Sequence, residues 1–139
     1  MANGIKLIAG LGNPGSRYVD TRHNAGFWFV EELADRYHGN WQEERRFKAR
    51  VCNVVIDNER IWLIAPQDYM NHSGEAIAAF ARYYRIDVGQ ILVAHDELDI
   101  LPGRVKLKQG GGAAGHNGLR DTTQHLGSPD YLRLRLGIG

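Results

Sequence analysis

His23 and Asp96 are the two residues whose types and settings best suit proton transfer. His23 stands between Arg22 and Asn24, just ahead of a helical pattern, and Asp96 closes an apolar strand pattern. Each has an ordinary reading, because a lone His before a helix is more often a cap or a surface group. An acid at the carboxyl end of a strand, however, sits where open α/β sheets bind ligands. If loops bring the two together, the carboxylate would fix the imidazole tautomer and stabilise the imidazolium formed when His takes a proton.

The group to be deprotonated is water. The chain has no G-x-S-x-G elbow. Cys52 falls inside a strand pattern, where a small buried hydrophobe is expected. Ser16, Ser73 and Ser128 lie in no motif. Direct hydrolysis without a covalent intermediate follows. Asn13 follows a strand, while Asn71 and Asn117 stand at predicted helix starts. Asn at a helix start is usually a cap, but its amide offers both donor and acceptor to a peptide group or an oxyanion. The Gly110–Gly115 loop leaves its backbone N–H groups approachable before a helix N-terminus, as a phosphate cradle would. Arg104, Lys106, Lys108 and Arg120 add positive charge around it.

Two other chemistries are weaker. G-x-G-x-x-G at Gly10 to Gly15 has dinucleotide-binding spacing, but that use needs a helix opening at the second glycine. Pro14 and the polar run to Arg22 deny it one. Histidines at 23, 38, 72, 95, 116 and 125 show no H-E-x-x-H, and the single Cys allows no paired-Cys site. No metal and no cofactor are expected.

The positioning elements read as alternating strands and helices. Ile5–Ala9 is a short buried strand. A helix capped by Asn24 runs to about Tyr37, burying Phe27, Val30, Leu33, Ala34 and Tyr37. A strand with Phe47, Ala49, Val51, Asn53 and Val55 on one face turns at Asp57-Asn58 into a second, antiparallel strand over Arg60–Ala65. A helix from Asn71 or Ser73 to Tyr84 buries Ile77, Phe80, Ala81 and Tyr84. The Ile91–Ala94 strand ends at His95 and Asp96. A strand through Val105 and Leu107 leads to the glycine-rich loop and a helix from His116 or Asn117 to Leu126 or Gly127. In the last strand Leu132, Leu134, Leu136 and Ile138 alternate with Arg133 and Arg135. The expectation is one α/β domain, a mixed, mostly parallel sheet flanked by helices in an α/β/α arrangement.

Composition fits this reading. Hydrophobic residues make up 43% and charged residues 24%, the balance of a globular protein. No apolar run would span a bilayer, and one cysteine fits a reducing, cytoplasmic setting. From residue 100 onward six basic residues face two acidic ones, a net +4, against −3 for the first 99. A basic C-terminal portion suits a phosphate backbone, although a solvated charged surface looks the same.

Five blocks then occur in order: GLGNPG at Gly10 to Gly15, TRHNAGF at Thr21 to Phe27, YMNHSG at Tyr69 to Gly74, HDELD at His95 to Asp99 and GGAAGHNGLR at Gly111 to Arg120. Together they make the chain, from Ile5 to Gly139, resemble the bacterial peptidyl-tRNA hydrolases. The resemblance implies hydrolysis of the ester between a peptide's C-terminus and the 3′-terminal ribose of tRNA, by a monomer needing no metal or cofactor. It implies that His23 is the general base, that Asp96 holds and polarises it, and that Asn13 positions His23 and the substrate. Tyr18, Met70, Asn71, His116 and Asn117 would bind substrate, with His116 facing the nucleic-acid side. Arg104, Lys106 and Lys108 would meet RNA. Family chains normally continue past the block matching Tyr131 to Gly139, so residues 1–139 are expected to be the family's domain without its C-terminal segment. The alternatives are a metal-dependent peptidase of related fold, told apart by chelator sensitivity, and a non-catalytic RNA-binding module, told apart by binding without turnover.

Overall fold

A computed structural model describes residues 4–13, 24–68, 70–113 and 115–138, with only the backbone of Asn71. Among the described residues seven strands form one sheet: β1 (Leu7–Gly10), β2 (Gln42–Glu44), β3 (Ala49–Ile56), β4 (Glu59–Pro66), β5 (Ile91–Glu97), β6 (Val105–Gln109) and β7 (Leu132–Gly137). Their order across the sheet is β2-β3-β4-β1-β5-β7-β6. The central strands β4, β1, β5 and β7 run parallel, and antiparallel pairs close both edges, β2-β3-β4 on one side and β7-β6 on the other. Helix α1 (Ala25–Arg36) covers one face; α2 (Ser73–Tyr83) and α3 (Asn117–Leu126) cover the other.

The central strands are buried on both faces, so they read as continuous apolar runs. In β1, Leu7 and Ala9 join the core under α2 and α3, whereas Ile8 joins the core under α1. The β3–β4 hairpin turns through Asp57 and Asn58 with φ of 51° and 66°. Two successive positive φ values match the twist of the flanking strands, and Asp and Asn tolerate them best after glycine.

Several elements differ from the sequence reading. Phe47 belongs to a 3-10 turn (Arg45–Phe47), and Lys48 at φ 52° re-aims the chain into β3. The turn sends Phe47 into the core, edge-on to Phe80 with ring centroids 5.3 Å apart. β3 buries Cys52 and Val54 as well as Ala49 and Val51, while Asn53 and Val55 are exposed. One face is covered at Ala49 and Val51, under the α2 side of the core, and the other at Cys52 and Val54, under α1, which erases simple alternation. Tyr37 and Tyr84, expected inside, are exposed at the helix ends. β2 has no apolar signal, since its Gln42, Glu43 and Glu44 are a polar edge.

Candidate active site

The carboxyl ends of β1, β4 and β5 and the N-terminus of α3 open onto one side of the sheet. There a cavity of about 430 Å³ is lined by Asn13, Met70, Asp96, Glu97, Leu98, Asp99, Gly115, His116 and Asn117. Five residues singled out in the sequence, Asn13, Met70, Asp96, His116 and Asn117, therefore meet around one cavity. His23 and Tyr18 lie outside the described residues, as does the side chain of Asn71. Arg104, Lys106 and Lys108 are exposed on and beside the edge strand β6.

Asn13 is placed by its own backbone and side chain. Its N–H donates to Asn24 Oδ1 at 2.8 Å, and its carbonyl accepts from Asn24 Nδ2 at 3.1 Å. Asn24 thus makes no side-chain cap to α1, contrary to expectation, because its amide is spent on Asn13. Asn13 Oδ1 accepts from Met70 N–H at 2.7 Å and fixes the entry to α2. Close approach of β1 to α1 requires glycine on both sides, since a Cβ on Gly10 would lie 2.2 Å from the Gly26 carbonyl oxygen. Gly10 and Gly12 of this strand-to-loop turn serve packing, and the first helix among the described residues opens at Ala25.

Asp96 and His116 form the charged centre. His116 Nε2 lies 2.7 Å from Asp96 Oδ1, with side chains 13% and 7% exposed. A carboxylate oxygen accepts, so Nε2 carries the proton. His116 Nδ1 accepts from Leu119 N–H at 3.2 Å, which makes the imidazole the side-chain cap of α3. No local pattern signals this pairing, because 20 residues separate the two. Asn117, expected as a possible cap, is instead the first residue of α3.

Second-rank partners hold these groups in place. Asp121 Oδ2 accepts from Gly74 N–H at 2.8 Å, so a side chain of α3 caps the start of α2. A Cβ on Gly74 would lie 2.3 Å from the Asp121 carbonyl oxygen, so the helices touch backbone to backbone there. Arg133 is buried and donates to the carbonyls of Gly111, Gly112 and Pro129. The glycine-rich loop is thus held from beneath by a guanidinium. Arg135 Nε donates to Glu97 Oε1 at 3.0 Å beside it.

His95, next to Asp96, is 2% exposed and burial is the main force pushing its pKa down to about 4. Burial also raises the Cys52 thiol to about 11, which suits an inert core residue rather than a nucleophile. Among the described residues no group of three or more His, Cys, Asp or Glu is placed to hold a metal ion, and no helix is long and apolar enough to cross a membrane.

Fold and site together define an α/β protein with a carboxylate–imidazole centre at the carboxyl edge of its parallel strands. Comparison with known proteins gives this class a family. The model of the peptidyl-tRNA hydrolase family matches residues 7–139. A peptidyl-tRNA hydrolase of Halorhodospira halophila is 56% identical over 135 residues, covering 97% of this chain and 70% of the relative. One from Azoarcus is 58% identical over 134 residues, covering 96% of this chain and 61% of the relative. The crystal structure of peptidyl-tRNA hydrolase from Acinetobacter baumannii superposes with a TM-score of 0.95 at 50% identity, over all of this chain and 70% of that one. The chain belongs to the peptidyl-tRNA hydrolase family.

Proposed function

We propose that this protein hydrolyses the ester joining a peptide's C-terminus to the 3′-terminal ribose of tRNA, freeing tRNA from prematurely released peptidyl-tRNA. Family membership over residues 7–139 carries the reading, and the gathering of Asn13, Met70, Asp96, His116 and Asn117 round one cavity supports it. The nucleophile is water. His23 takes its proton as the oxygen attacks the ester carbonyl carbon, and Asp96 stabilises the resulting imidazolium. When the tetrahedral intermediate collapses, the ribose oxygen leaves with that proton, giving a free tRNA hydroxyl and a peptide carboxylic acid, which loses its remaining proton to solvent. Asn13 has its oxygen committed to Met70 N–H, so it meets the substrate with its Nδ2 donor.

Asn71 and Asn117 bind the peptide backbone, with Asn71 also serving the oxyanion, and Tyr18 and Met70 line the crevice. Arg104, Lys106 and Lys108 lie exposed where RNA phosphates would be met. An ester leaves more readily than an amide, so no metal or cofactor is required, and the protein acts as a cytoplasmic monomer. Release of tRNA from a short N-acylated aminoacyl-tRNA, with and without EDTA, tests this for the parent chain and for His23→Ala. Cleavage that resists EDTA and collapses in His23→Ala is expected. Chelator-sensitive turnover, or full turnover by His23→Ala, refutes the mechanism. Binding of tRNA with no turnover in either form favours a non-catalytic RNA-binding module.

A further inference from the structure

Among the described residues, two buried side-chain polar atoms lack a hydrogen-bond partner, His95 Nε2 and Arg133 Nε. Both side chains line the same cavity of about 50 Å³ beneath the glycine-rich loop, walled also by Glu97, Lys108, Gly112 and His116. Buried polar groups in native proteins are nearly always paired, so two orphans on side chains that line one space call for a shared explanation.

The chemistry of the two atoms is complementary. His95 Nδ1 lies 2.8 Å from the carbonyl oxygen of Asp96. A carbonyl can only accept, so Nδ1 carries the proton and Nε2 presents a lone pair. Arg133 spends Nη1 and Nη2 on the carbonyls of Gly111, Gly112 and Pro129. Its Nε–H is a donor in need of an acceptor. One atom must be given a proton and the other must be given a lone pair.

We propose that this cavity is a built site for internal water, held by His95 Nε2 and Arg133 Nε. A single probe-sized water needs roughly 10–15 Å³ of such space, so there is room for one and at most a few. A halide or a phosphate oxygen would satisfy Arg133 but would face the His95 lone pair. A cation would satisfy His95 but would be repelled by the guanidinium. Only a neutral group with both donor and acceptor suits both walls. Burial holds the His95 ring neutral near pH 7, since its pKa falls to about 4. Exposed Lys108 at the rim marks a way in for solvent.

The bound water extends an existing network. Through His95 it reaches β5, the strand that carries Asp96, and through Arg133 it reaches the carbonyls of the loop that precedes His116. It therefore ties the two segments carrying the Asp96–His116 pair.

The test is a crystal structure of this chain, grown near neutral pH and soaked in bromide, at a resolution that shows ordered water. Full-occupancy water density within hydrogen-bonding distance of His95 Nε2 and Arg133 Nε, as one water or a bonded pair, is the expected result. An anomalous bromide peak there, an empty cavity, or a His95 ring turned so that Nε2 meets a protein group overturns the proposal. Nitrogen NMR of histidine-labelled protein is a second reading that needs no crystal. It should show His95 with its proton on Nδ1 and a hydrogen-bonded Nε2, and the opposite tautomer would refute the assignment. In crystals of His95→Phe, which keeps a ring but no nitrogen, the water should be lost or drawn to Arg133 alone. Water unmoved in that variant also counts against the site.

Discussion

Lowering the pH from about 7 to about 4 puts His95 to a direct test. In the unfolded chain this imidazole takes a proton near its ordinary 6.5, whereas in the folded protein burial delays protonation to about 4. Between these values the unfolded state binds a proton that the folded state refuses. Acidification therefore favours unfolding, and the stability contributed by neutral His95 is complete above 6.5 and lost as the pH falls to about 4. At ~1.36 kcal/mol per pH unit, the fall from 6.5 to about 4 corresponds to roughly 3 kcal/mol. Carboxylates titrate in part of the same range, so the useful quantity is the difference between parent and His95→Asn. That substitution keeps an amide donor near the place of Nδ1 and removes the titrating ring. Urea denaturation followed by circular dichroism at several pH values gives stability for both. His95→Asn should be the less stable of the two near pH 7, and the gap should close by about 3 kcal/mol towards pH 4. Parallel curves would show that His95 is not the buried neutral group described here, and the reasoning from burial would fail with it.

Other substitutions test the site and its supports. Asp96→Asn keeps the shape but removes the charge; tRNA release should fall about 10²- to 10⁴-fold with little change in melting temperature. Asp121→Ala removes the carboxylate that caps Gly74 N–H, and thermal denaturation should register a loss of about 1–2 kcal/mol, most of it restored in Asp121→Asn. Gly10→Ala places a methyl 2.2 Å from the Gly26 carbonyl oxygen, so it should cost more than about 3 kcal/mol and show as insoluble expression. Lys108→Ala, on the exposed edge strand, should raise KM for the tRNA substrate, leave kcat within about twofold, and flatten the salt dependence of binding.

Much of the fold was legible because local signals agreed with the tertiary outcome. The apolar run after Ile5, the Asp57-Asn58 turn and the helical spacing of Phe27, Val30 and Ala34 each describe an element whose neighbours want the same thing. Failures fall where tertiary contacts overrule them. β7 alternates Leu with Arg, yet Arg133 is 2% exposed while the leucines of the strand are only half-buried. Polarity misleads there because the loop carbonyls above Arg133 supply what water would. Asn24 looked like a cap, and its side chain serves Asn13 instead. The residues bordering the cavity were legible by position at strand ends and helix starts, but the Asp96–His116 bond depends on how α3 is set against β5, which no local pattern encodes.

That bond bears on which histidine acts as base. His116 is the histidine that lines the larger cavity among the described residues, and its place beside Asp96 invites a catalytic dyad. Its protons argue otherwise. Nε2–H is given to Asp96, and the Nδ1 lone pair is taken by Leu119 N–H at the start of α3. To accept a proton from water, His116 would have to break its cap on the helix that carries Asn117. His95 fares no better, with Nδ1–H bound to the Asp96 carbonyl and its side chain lining the smaller cavity rather than the larger one. Neither imidazole offers a free nitrogen to the crevice. His116 instead supplies Asp96 Oδ1 with a hydrogen bond, and in the mechanism proposed above the carboxylate's charge serves an imidazolium on His23. This favours His23 as the base, with His116 as the group that orients its carboxylate partner.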